Sequence, residues 1–195
     1  MGRGVGKKLS WLLLPERRRG LSLFFGILAG GSYLILNLIL GMLYSSPFLI
    51  SVAVSYFFLI IARYKILSHI EGSVRDASII LLFVSWPLVI ISGLSGDIPR
   101  ISFLIVYIYA AYATLSFIHA VLSLIFMRSR DKVSVAFKAQ RINGALISSY
   151  NFTVNFFFSY LHGQKAGALL FIGIIFSLLS VISALYSYIY SVRGE

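Results

Sequence analysis

Apolar residues fall in six long runs along the chain, separated by short polar or basic stretches. The runs cover 21–43, 48–67, 77–93, 101–127, 142–161 and 166–190. Each is roughly 20 residues long, which at a helical rise of about 1.5 Å per residue is the length needed to cross hydrocarbon. The runs are continuous rather than alternating with period two, so the strands of a membrane barrel are not expected. The pattern predicts an all-α integral membrane bundle of six transmembrane helices over 21–192. A basic interfacial segment, 1–20, precedes it. Within the third run, Trp86-Pro87 predicts a kink or local break, because proline removes a backbone donor and crowds the preceding turn.

Composition strengthens this reading. The 195 residues are 59% hydrophobic and 12% charged, with a mean hydropathy of +0.92. A soluble domain of this size has too little interior to hide so much apolar surface. With no cysteine, disulfides, thiolate metal sites and a cysteine nucleophile are excluded.

Charge sets the expected orientation. The chain carries 17 Lys and Arg against 6 Asp and Glu. Fifteen of those cations lie in 1–20, in the 62–76 and 128–141 connections, and after the last run; Arg100 and Lys165 alone fall on the opposite side. Cationic connections stay cytoplasmic. A multi-pass plasma membrane protein with both termini in the cytoplasm is therefore expected. The same asymmetry explains the net charge of +11 without a nucleic-acid partner. Arg17, Arg18, Arg19, Arg128, Arg130 and Lys132 are the candidate contacts to anionic headgroups of the bilayer or to a partner. A membrane protein partner or a second copy of the chain fits the same surface.

Chemistry in such a chain must reside in its connections or in polar groups held at membrane depth. On the first helix, Gly26, Gly30, Tyr33, Asn37 and Gly41 share a face. On the fourth, Tyr112, Ser116, His119 and Ser123 do so. The fifth carries Arg141, Gly144, Ser148, Asn151, Asn155 and Ser159 at helical spacing. Lipid satisfies no amide side chain, so the asparagine face must point into the bundle. Asn37, His119, Ser148, Asn151 and Asn155 form the candidate polar intramembrane site. The competing reading makes the same residues interhelical glue. Asn151-Phe152-Thr153 spells a glycosylation sequon, but at a depth no transferase reaches.

All six acidic residues, Glu16, Glu71, Asp76, Asp97, Asp131 and Glu195, fall in expected connections or tails. No carboxylate is expected in the membrane core to couple ions. His119 has no partner ligand at metal-site spacing, and no nucleophile elbow, HExxH or phosphate loop occurs. Neither an enzyme nor a cofactor is expected.

Tyr33-x3-Asn37-x3-Gly41 on the first helix parallels Tyr112-x3-Ser116-x3-Ala120 on the fourth. With three helices per half, this suggests a weak 3+3 inverted repeat, an arrangement common in transporters. The stretch from Tyr33 through Asn37 to Gly41, then Tyr44-Ser45, Ser55-Tyr56-Phe57-Phe58-Leu59 and Arg63, resembles the first two helices of a family of uncharacterised six-helix membrane proteins of Firmicutes, notably clostridia. Lys138-Ala139 through Ala145-Leu146-Ile147-Ser148 resembles that family's entry to the fifth helix. Where the family continues Leu-Gln-Thr-Ala, this chain has Asn151-Phe152-Thr153-Val154. The resemblance implies the six-helix layout and no activity. Two functions fit: a small-solute binding or transport component or channel-like subunit, and a non-transporting scaffold that grips a partner or anionic lipid through its basic connections.

Overall fold

A computed structural model describes residues 15–67, 72–94, 99–126, 131–160 and 166–193. The described residues form six helices and no strand: α1 Pro15–Leu43, α2 Pro47–Leu67, α3 Ser73–Leu94, α4 Phe103–Phe126, α5 Lys132–Tyr160 and α6 Ala166–Val192. The protein is an all-α membrane protein. Stretches of α1 (Gly26–Leu43), α2 (Pro47–Leu67), α4 (Phe103–Ile125) and α6 (Ala168–Val192) are each long and apolar enough to cross a membrane. Their large apolar side chains turn outward; Met42, Leu104 and Phe171 are about two-thirds exposed. Water would not tolerate such a surface on a monomer, whereas lipid solvates it.

Four of the helices, α1, α2, α3 and α5, begin earlier than the apolar runs predict. Proline opens both α1 and α2, as suits a first-turn position whose missing N–H needs no partner. The ten residues before Ile142 belong to α5. They contain no proline, and their Lys, Arg, Gln and Ala are good helix formers. At 29 residues, α5 is about 44 Å long, well beyond the ~30 Å of hydrocarbon. Proline 87 does not end α3, which runs unbroken from Ser73 to Leu94.

Between α1 and α2 the chain reverses in three residues. Ser45 adopts φ +47°. The Ser46 N–H donates to the Gly41 carbonyl (2.8 Å) and the Ser45 N–H to the Met42 carbonyl (3.3 Å). This Schellman arrangement satisfies carbonyls that the helix end would orphan. Ser46 then caps α2, its Oγ accepting from the Leu49 N–H at 3.5 Å. The reversal lets the small residues of α1 face α2. A Cβ on Gly41 would lie 2.7 Å from Ile50 Cγ1, and one on Gly30 3.6 Å from Ile60 Cγ1.

Further along, α2 packs on α3, α3 on α6, α6 on α5 and α5 on α4, while α2 also touches α5. Where α5 meets α6, Gly173 leaves room for the Tyr150 ring, whose hydroxyl would sit 2.8 Å from an added Cβ. Asn143 on α5 is fully buried and bonds to Ser180 and Ser183 of α6. Ser78 of α3 and Ser187 of α6 share a hydrogen bond of 2.7 Å. These contacts are the small-residue and hydroxyl packing that holds helices together where lipid removes the hydrophobic drive.

Candidate functional site

Two polar layers lie within the bundle, one at its middle and one toward an end, and they differ in kind. The first is closed. Asn37 (α1), Asn151 and Asn155 (α5) are each fully buried. Asn37 Nδ2 donates to the Tyr33 carbonyl at 2.8 Å, and the Tyr109 hydroxyl of α4 donates to Asn37 Oδ1 at 3.0 Å. Asn151 Nδ2 donates to Asn37 Oδ1 at 3.1 Å and to the Tyr33 hydroxyl. Asn155 Nδ2 donates to Asn151 Oδ1 at 2.8 Å, while its own Oδ1 has no hydrogen-bond partner. Tyr33 stacks on Tyr112 at 4.0 Å and lies 4.6 Å from the Tyr56 ring. Four helices, α1, α2, α4 and α5, are thus joined through buried amides and ring faces.

The second layer is open. A cavity of about 510 Å³ lies among α1, α2, α4 and α5, within the range of small-ligand sites. Tyr56 and Tyr112 line it toward the asparagine layer. Its other polar walls are Arg63 (α2), Ser116 and His119 (α4), and Gln140 and Arg141 (α5). Gly26, Ala29 and Gly30 of α1 complete it. All these residues sit toward the end of the bundle at which α1 and α5 begin and α2 and α4 end.

Arg63 organises this cavity. Its Nη2 and Nε both donate to Gln140 Oε1, at 3.0 and 3.3 Å. The guanidinium occupies the space that a Cβ on Gly26 would fill. One side chain on α2 thereby touches α1 and α5. Its partner is a neutral amide, and no carboxylate lines the cavity among the described residues. Behind it, the Tyr56 hydroxyl donates to the Gly144 carbonyl at 3.1 Å, fixing α2 against α5.

The residues singled out in the sequence divide between the layers. Asn37, Asn151 and Asn155 come together in the closed layer. Ser148 is buried beside them and donates to its own helix, at the Ala145 carbonyl, 3.0 Å away. Asn151 within its sequon is buried too. His119 belongs to the cavity and is solvent- or lipid-exposed, so it does not meet the asparagines. Lys132 opens α5 and is half-buried. Arg128 and Arg130, like residues 1–14, lie outside the described residues, as do the side chains of Arg17, Arg18 and Arg19.

Sequence reasoning missed Arg63, Gln140 and Asn143. Arg63 reads as a loop cation but lies four residues inside the end of α2. The available signal was Gly26, whose missing side chain makes room for it. Among the described residues no three His, Cys, Asp or Glu side chains gather as metal ligands would. Comparison with protein families, with curated proteins and with solved structures gives no match to this chain.

Proposed function

We propose that this chain is a multi-pass plasma membrane protein that binds a small anionic solute in the cavity at its cytoplasmic end, as the binding component of a transport system. The observation that carries this reading is the Arg63 guanidinium, held by the neutral Gln140 amide in a cavity whose described walls carry no carboxylate. A half-buried cation whose described neighbours offer no counter-charge is held at a cost, and an incoming anion reduces that cost. Arg141 and the donors of Ser116 and Tyr112 add to the attraction.

In this reading α3 and α5 cross the membrane with the four more apolar helices, giving six spans. At 22 and 29 residues they are long enough. Their polar groups are tolerated because they face the bundle. The cation-rich connections favour a cytoplasmic side for the termini and the cavity mouth. An inverted 3+3 repeat is supported by the packing, since α1 packs on α2 and α2 on α3 as α4 packs on α5 and α5 on α6. Tyr33 and Tyr112, equivalent positions of the two halves, meet each other.

A specific observation favours the non-transporting scaffold as second reading. The Asn37–Asn151–Asn155 layer is fully buried and closed, so a solute in the cavity has no path onward while those contacts hold.

Two measurements test the proposal. Calorimetric titration of the detergent-purified protein with inorganic phosphate and with a short dicarboxylate should give binding that R63Q weakens about 10- to 100-fold. Equal affinity in R63Q, with a normal unfolding transition, would remove the cavity as the binding site. Because the chain lacks cysteine, single-cysteine variants report topology directly. S45C should react with an impermeant maleimide on intact cells and R193C only after permeabilisation; the reverse result inverts the orientation.

A further inference from the structure

Two residues that line the cavity, Ala29 and Leu115, are also exposed on its outer side, and their position bears on what enters. α1 and α4 meet through the stacked rings of Tyr33 and Tyr112, which hold the two backbones apart, so α1–α4 is not among the closely packed helix pairs. On the cavity side of those rings both helices expose residues that line the cavity. Ala29 on α1 and Leu115 on α4 both line the cavity and both face outward, Leu115 with 58% of its surface exposed. Ala29 lies inside the apolar stretch that starts at Gly26. Leu115 lies ten residues before the end of the apolar stretch of α4, about 15 Å along the helix axis. Both residues are therefore at membrane depth, where the adjoining medium is acyl chain.

From this we infer that the anion is the terminal phosphate of a lipid, drawn sideways through the α1–α4 gap, with its acyl chains left beside Ala29 and Leu115. This rests on the anion-binding reading and names its substrate class. Two features favour a phosphate over a carboxylate. Donors stand on three helices, Arg63, Ser116, His119 and Arg141 among them, and a phosphate offers more acceptor oxygens and more charge than a carboxylate. Guanidinium also matches phosphate geometry in a bidentate manner. A choline headgroup would bring a quaternary ammonium against the arginines, so zwitterionic lipid is discriminated against. Apolar chains in the gap explain why Leu59, Ile60 and Leu115 share the walls of a cavity that holds two arginines.

Native mass spectrometry of the full chain in detergent tests this, with dioleoyl phosphatidic acid, glycerol 3-phosphate and dioleoyl phosphatidylcholine as probes. Phosphatidic acid should bind at least tenfold more tightly than either of the others, and R63Q should lose that preference. A29W, which narrows the gap, should reduce phosphatidic acid capture at least tenfold and lower glycerol 3-phosphate binding far less; A29L should act in the same direction if the indole perturbs folding. Glycerol 3-phosphate binding as tightly as the lipid, with A29W silent, would overturn the lipid assignment and leave the aqueous-anion reading standing. Phosphatidic acid binding that ignores both R63Q and A29W is annular and overturns the assignment as well. Failure of every phosphate probe in folded protein would sink both readings.

Discussion

The Arg63 guanidinium on α2 lies where a side chain on Gly26 of α1 would otherwise be. Glycine here is a question of space rather than of backbone conformation. The displaced group is the far end of a flexible side chain, so the fold has little reason to resist a methyl group at 26. G26A should leave the unfolding temperature in detergent unchanged or slightly higher, since alanine favours helix by about 0.5–1 kcal/mol over glycine. Anion affinity should nonetheless fall about tenfold as Arg63 is pushed off Gln140, a loss of about 1.4 kcal/mol. A stable G26A that binds normally would show that Arg63 need not sit there.

The two buried asparagines of α5 should respond unequally to the same substitution. Asn151 donates to Tyr33 and Asn37 and accepts from Asn155, so N151L strands several buried polar atoms and should cost about 1–2 kcal/mol. Asn155 already leaves its Oδ1 without a partner. N155L removes that acceptor together with its donor, and should cost less than about 1 kcal/mol. Thermal unfolding in detergent ranks the pair. Neither residue lines the cavity, so both variants should bind anion within about twofold of the parent, a difference under about 0.5 kcal/mol.

Ser45 pays a steric cost for its left-handed conformation, which glycine avoids. S45G should stabilise the α1–α2 reversal by about 0.5–1 kcal/mol and raise the unfolding temperature by about 2 °C. A fall in that temperature would mean the serine hydroxyl matters more than its backbone.

Lys65 and Asp76 form an ion pair of 3.1 Å between α2 and α3, with each side chain more than 40% exposed. Solvent screens such a pair. D76N should change stability by less than about 0.5 kcal/mol and leave anion affinity intact, which makes it the charge-change control for R63Q.

The helices were legible in the sequence because lipid imposes a length and a polarity on each crossing. The small-residue face of α1 was legible for a similar reason. Gly30 and Gly41 recur at helical spacing and do meet α2 through Ile60 and Ile50. Helical spacing says which residues share a face but not which neighbour that face meets. His119 therefore looked equivalent to Asn151, although α4 turns it to the open cavity and α5 turns Asn151 to Tyr33. Arg63 and Gln140 were hidden by their position near helix ends, where charged and amide side chains ordinarily reach out to headgroups. Only the opposing glycine distinguishes a cation that turns inward. The early start of α5 shows in the sequence as an amphipathic lead-in, Val133, Val135, Ala136, Phe137 and Ala139, rather than as an apolar run.

The layer of tyrosine rings and asparagine amides also makes the bundle an uneven insulator. The polar groups of the cavity extend from one end as far as Tyr56 and Tyr112, and beyond them lie the buried amides of Asn37, Asn151 and Asn155. A voltage across such a molecule falls mostly across that buried layer, not evenly from face to face. A charge resting on Arg63 would feel little of that voltage, whereas one driven past Tyr33 would meet most of it, about 2.3 kcal/mol per elementary charge at 100 mV.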